Sequence, residues 1–253
     1  MSPESTPVPF DAAWAKRMAD MTAAADQRPS AGVALVDSIL SFKKGVFEDE
    51  RFPDEKARRE LLVVPLMVRE SRTFWLRPVA KGEEAHAPDC KSVNGLVPVP
   101  ADPRAGPLDD VLQPQAKTCA ECPWNKFDTA DNGGGGKKCK TGGNLFGLEV
   151  TPAGEAVGSI LVRYSASNSQ VNRAIDLADR KGSEAKLVRC LSVWELGSGK
   201  GTFSGGDYAY MSPTFKGPAP KALYGAIESS LQGLMKPGVV DSFLGGGTVA
   251  AGG

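Results

Sequence analysis

Histidine is nearly missing: His86 is the one histidine in 253 residues. That excludes a two-histidine metal site and a histidine relay, and leaves at most a lone general base. An excess of charge of either sign is missing as well, because 30 Lys and Arg balance 30 Asp and Glu for a formal net charge of zero. Affinity for nucleic acid, if there is any, must then rest on local basic patches. No apolar run approaches the roughly 18 residues that a membrane-spanning helix needs. The opening MSPESTPVPFDAAW has neither a basic nor an apolar leader region, so a cytoplasmic protein away from membranes is expected. Phosphate-loop, nucleophile-elbow and paired-carboxylate motifs are also lacking. The run Gly133 to Gly136 before Lys137 and Lys138 has the glycines of a phosphate loop but no Ser or Thr after a single Lys, and it reads as a flexible basic loop.

What is present fits a soluble globular chain, with 41% hydrophobic and 24% charged residues, long enough for one large domain or two small ones. Residues 1 to 30 read as an N-terminal extension, with a peripheral helix over Phe10 to Met21 whose Phe10, Trp14, Met18 and Met21 share a face. GVALVDSILSF (Gly32 to Phe42) and LLVVPLMVRE (Leu61 to Glu70) read as buried strands, the first ending in a turn at Lys43-Lys44-Gly45. Pro65 marks an edge or a bulge in the second. A turn at Glu70-Ser71-Arg72 separates that strand from a third, Thr73 to Pro78. After a Pro- and Gly-rich insertion at about residues 79 to 143, Asn144 to Val150 and Val157 to Ala166 read as a hairpin, and Gln170 to Gly182 as a helix. Leu187 to Gly197 and Tyr208 to Phe215 read as two more strands, and Lys221 to Met235 as a last helix before a Gly/Ala tail. The fold class is therefore mainly β with minor α: a domain over residues 31 to 218, then a C-terminal helix and a flexible tail over 219 to 253.

A long structureless insertion needs a staple, and this one holds four of the five cysteines. Cys90, Cys119, Cys122 and Cys139 are spaced C-x28-C-x2-C-x16-C. Two residues between Cys119 and Cys122 let both thiolates reach one ion, and the outer pair closes the tetrahedron that zinc accepts. A structural zinc ion, Zn2+, is the cofactor this spacing predicts. The alternatives are a chance cluster of free thiols and a redox CxxC. The second normally opens a helix, whereas Pro123 and a glycine-rich loop follow here. Cys190, inside an apolar strand, reads as a buried spectator. A closed four-thiolate site leaves no position for water or substrate, which argues against an enzyme.

The charges are spread almost evenly: residues 1 to 60 sum to −2, 61 to 220 to +2 and 221 to 253 to zero. Around the cysteines, however, Lys117, Lys126, Lys137, Lys138 and Lys140 interleave with Trp124 and Phe127. Trp75, Arg163, Tyr208 and Tyr210 extend the candidate surface along the strands. Cations for phosphates and rings for base faces are what binding a single strand without sequence preference requires. Trp124, between the knuckle and the basic loop, is the first candidate for stacking on a base, while Trp194 beside Cys190 reads as core. In the blander reading many of these aromatics are core and the lysines merely solvate a loop.

The segments SFKKGVF (Ser41 to Phe47), PDCKSVNG (Pro88 to Gly95), CAECPWN (Cys119 to Asn125) and GKKCK (Gly136 to Lys140), with the apolar strands around them, resemble a set of bacteriophage single-stranded-DNA-binding-like proteins over roughly residues 35 to 216. The arrangement also looks like the zinc-ribbon insertion of an oligonucleotide-binding (OB) barrel, as in the large subunit of replication protein A. The resemblance implies an OB-like β-barrel with a zinc insertion and peripheral helices. It implies a non-catalytic protein that binds single-stranded DNA in phage replication or recombination, with phage replication or recombination proteins as further partners. Cellular single-strand-binding proteins usually end in an acidic tail. Here the tail carries no charge after Asp241, so recruitment of partners by that route is not expected. The rivals are a zinc-ribbon adaptor or transcription regulator that binds a protein, and an enzyme with an unrecognised acidic cluster.

Overall fold

The computed structural model describes residues 16–22, 36–52, 55–76, 88–92, 95–98, 114–131, 135–166, 169–203 and 206–234. Its centre is one eight-stranded sheet: β1 (Ser38–Lys43), β2 (Val46–Asp49), β3 (Leu61–Phe74), β4 (Cys90–Ser92), β5 (Lys140–Val150), β6 (Ala156–Ser165), β7 (Ser192–Phe203) and β8 (Gly206–Pro218). The path runs β2-β1-β6-β5-β3-β7-β8, with β4 paired to β3. All pairings are antiparallel except β1 with β6. The protein is mainly β, as the strand pattern led us to expect, and the sheet curls into a half-barrel. Three helical segments pack on it: residues 16–22 (α1), α2 (Ser169–Glu184) and α3 (Tyr224–Leu234).

Alternation along the strands divides the core in two. Leu40, Leu145, Val162, Trp194 and Met211 point into the curl, where α2 closes them over with Val171 and Ile175. Phe146, Leu148, Leu161, Val64 and Leu66 point outward beneath Met18 of α1 and Ile227 and Leu231 of α3. The N-terminal helix is therefore not peripheral, because Met18 is fully buried among sheet and α3 residues. The part of that expected helix before residue 16, the Gly/Ala tail and His86 lie outside the described residues. Cys190 and Trp194 are both fully buried, as expected, but Cys190 lies in a 3-10 turn at Arg189–Leu191 and not in a strand, which begins only at Ser192.

Three local features follow from side-chain chemistry. Lys44 and Gly45 both take positive φ, 50° and 88°, the two-residue turn that matches strand twist in a hairpin. It joins β1 to β2, a strand that apolar alternation did not reveal. Pro65 cannot donate to a ladder, and the register of β3 on β5 shifts between Pro65 and Met67, so the bulge reading holds and the edge reading does not. The expected turn at Glu70-Ser71-Arg72 is absent. β3 runs unbroken for 14 residues because its pairing continues from Arg69 with Asn144 to Thr73 with Lys140. Backbone ladder bonds need no apolar side chains, so the glycine-bearing start of β5 accepts this polar stretch.

Candidate metal knuckle and nucleic-acid interface

The insertion folds back on the end of β3. Cys90 opens β4 directly opposite Phe74, and Cys139 immediately precedes β5. Between them a 3-10 turn at Pro123–Asn125, with proline at its start, follows the Cys119–Cys122 loop. The loop is held by backbone: Cys119 N–H donates to Leu96 O at 2.8 Å and Cys139 N–H donates to Trp124 O at 2.9 Å. Asn125 Nδ2 donates to Cys119 O at 2.7 Å, and Arg72 of β3 donates to Asn125 Oδ1 while pairing with Glu70. Arg72 and Asn125 thus rivet the loop to the sheet.

Cys90, Cys119, Cys122 and Cys139 line one cavity of about 20 Å³ with Arg72 and Phe74, room for a single water-sized body. All five cysteines are free thiols. Burial pushes the Cys139 thiol up to about 11, with neighbouring Cys122 adding to the rise and Arg72 opposing it. Burial likewise raises Cys90, against a backbone hydrogen bond at Gln115. Among the described residues no group of three or more His, Cys, Asp or Glu side chains stands in a ligating arrangement; the four thiols share the cavity without closing on a common point.

Beside the cavity the aromatic and basic residues divide by exposure. Trp124 is half-buried, stacked on Phe74 with ring centroids 5.5 Å apart, and its Nε1 donates to Gln115 Oε1 at 3.3 Å. Lys138 Nζ sits 5.3 Å from the Trp124 ring centre and 2.7 Å from Asp131 Oδ1. Phe127, by contrast, is 70% exposed, with Lys137 Nζ 4.9 Å from its ring centre. Lys126 and Lys140 are exposed, and Trp75 is half-buried just beyond β3. Arg163 of β6 is ion-paired with Glu50 at 2.5 Å.

Tyr208 and Tyr210 belong to the β7–β8 hairpin. Their rings lie over glycines of the neighbouring strand: a Cβ on Gly201 would fall 2.4 Å from Tyr208 Cζ, and one on Gly199 would fall 2.4 Å from Tyr210 Cζ. Their hairpin pairs with β3 at Leu61–Val63, whereas the knuckle sits at Arg72–Phe74. Those points are roughly 30 Å apart along an extended strand. The curl of the sheet also brings the tip of that hairpin to the β1–β2 turn, where a Cβ on Gly45 would fall 3.1 Å from Ser198 Oγ and 3.5 Å from Ala209 Cβ. Sequence reasoning also passed over Phe74, Arg72 and Asn125, which position the knuckle; the sole signal for them was polar residues at the end of an apolar strand.

Fold and site together define a mainly β protein, a curled half-barrel sheet carrying a four-cysteine loop at one end of its central strand. No protein-family model, curated protein or solved structure matches the chain.

Proposed function

We propose that Cys90, Cys119, Cys122 and Cys139 hold one structural zinc ion, and that the knuckle presents a cationic and aromatic surface to single-stranded DNA in a non-catalytic protein of phage replication or recombination. The observation that carries this reading is that four free, largely buried thiols line a single cavity of about 20 Å³. Burial makes the Cys90 and Cys139 thiols resist ionisation, and a bound cation would reverse that preference by deprotonating them as ligands. A closed set of four thiolates supplies folding energy and no catalytic position. The curled half-barrel is compatible with an OB-like fold. At its surface Phe127 offers a free ring face to a base, while Lys126, Lys137 and Lys140 neutralise phosphates.

A titration of labelled oligo-dT against salt tests the reading. Log affinity falls linearly with log salt by roughly 0.7 per neutralised phosphate, and Lys126→Gln with Lys137→Gln flattens that slope. The adaptor reading has its own support in Leu76 and Leu96, 61% and 60% exposed near the knuckle. Affinity indifferent to salt, or no affinity for oligo-dT, would favour it.

A further inference from the structure

The charges that line the four-cysteine cavity are of one sign. They belong to Arg72 and Lys91, both cations, and among the described residues no carboxylate lines it. Register accounts for the arginine. Phe74 stands opposite Cys90, and Arg72 stands opposite Ser92 of β4 and Thr141 of β5. Paired residues, and residues two apart on a strand, share a face. Arg72 therefore lies one row behind Cys90 on the cysteine side of β3, held there by the ladder.

A guanidinium has five N–H donors and no acceptor. In Arg72, Nη1 donates to Asn125 Oδ1 and, at 3.4 Å, to Thr141 Oγ1, while Nη2 pairs with Glu70. Nε is buried and has no hydrogen-bond partner. A buried donor of this kind is rare in a folded protein and calls for an acceptor. The Arg72 side chain is 13% exposed and that of Glu70 44%, so water screens the carboxylate more than the guanidinium, and the pair leaves part of the buried positive charge uncompensated.

One Zn2+ with four thiolates carries two net negative charges. Within a closed cavity such a dianion is costly unless cations and N–H donors stand beside the sulfurs. Metal sites depend on outer partners of this kind almost as much as on the ligands themselves. We infer that Arg72 is the outer partner of the zinc site: its permanent charge balances the thiolates and its unpartnered N–H serves a ligand sulfur, so that the end of β3 sets how tightly the loop holds its metal. The inference rests on the zinc reading above and deepens it. Arg72 is a positioning residue here, acting on the ion through its ligands.

The test is competition for zinc between the full chain and a chromophoric chelator, with thermal melts to verify folding. Arg72→Gln is expected to weaken zinc binding by about 10–100-fold, the usual cost of removing an outer partner. Arg72→Lys keeps the charge without the fork and is expected to recover most of that loss. Asn125→Ala cuts the link to the loop but keeps the cation, and is expected to hold zinc more tightly than Arg72→Gln. Glu70→Gln leaves more of the guanidinium's charge to the sulfurs and is expected to tighten zinc by about two- to fivefold, the worth of an exposed ion pair. Wild-type affinity in Arg72→Gln, or losses as large in Arg72→Lys or Asn125→Ala as in Arg72→Gln, would overturn the inference and leave the zinc reading standing, with Arg72 a rivet only. If Arg72→Gln does not fold, Glu70→Gln decides, and unchanged or weaker zinc binding there overturns the inference. A wild-type chain that binds no zinc overturns both.

Discussion

Trp124 lies nearly flat on Phe74, with ring centroids 5.5 Å apart and planes inclined by 16°. Phe74 is 1% exposed and stands directly opposite Cys90, so the ring pair connects the cysteine loop to the last residue of the central strand. An aromatic pair of this kind contributes about 0.5–1.5 kcal/mol beyond the area it buries. The tryptophan that sequence places first for stacking on a base is already stacked within the protein, and Phe127 is the ring left open.

Trp124 and Phe127 should therefore give opposite signatures on truncation. Trp124→Ala is expected to lower the melting temperature by loosening the loop from β3. Phe127→Ala should melt as wild type and lose about 1–3 kcal/mol of oligo-dT binding. Melting curves paired with anisotropy titrations check both; a Phe127→Ala protein that melts lower and binds normally when folded would contradict the assignment.

Metal analysis of the purified chain is expected to find one zinc per molecule. Cys119→Ser with Cys122→Ser should abolish it, because a tetrahedron deprived of two ligands cannot hold the ion. Cys190→Ser should leave the zinc content unchanged, since that thiol is fully buried in the outer apolar cluster. A zinc-free wild-type protein would remove the metal from the account.

Tyr164 makes stability sensitive to alkali. Its ring packs over Gly143, where a Cβ would fall 2.1 Å from Tyr164 Cζ. Burial raises its hydroxyl far above the ordinary value of 10.0, with Arg189 opposing and Glu70 adding to the rise. The folded state thus holds its proton more tightly than the unfolded chain does. That contribution is fully present below about pH 10 and is lost as pH rises from the unfolded value toward the folded one. Tyr164→Phe should lose less stability than wild type between about pH 9 and pH 11, measured by denaturant midpoints; parallel losses would show that Tyr164 ionises freely in the fold.

Local pattern carried the sequence reading as far as local physics reaches. Runs such as LLVVPLMV and GSILVRY announced strands because apolar and β-branched residues fit a pleated, buried surface. Pro65 announced a bulge through its missing N–H, and Lys44-Gly45 a turn. The cysteine spacing by itself picked out four thiols that the fold brings to one cavity, since two intervening residues limit how far Cys119 and Cys122 can separate. These conclusions need only neighbours along the chain.

What tertiary structure alone decided was pairing. The polar stretch Glu70-Ser71-Arg72 reads as a turn until β5 is laid beside it, because a ladder is satisfied by backbone groups of a strand some seventy residues away. Met18 reads as peripheral until α3 and the outer sheet face close over it. Arg72, Cys90 and Thr141 are scattered in sequence, and only the register of β3, β4 and β5 sets them on one face. Register also joins the hairpin of Tyr208 and Tyr210 to the opposite end of β3 from the knuckle. Such long-range pairings depend on which strands meet, a property of the whole chain's free energy to which each strand's own composition contributes little.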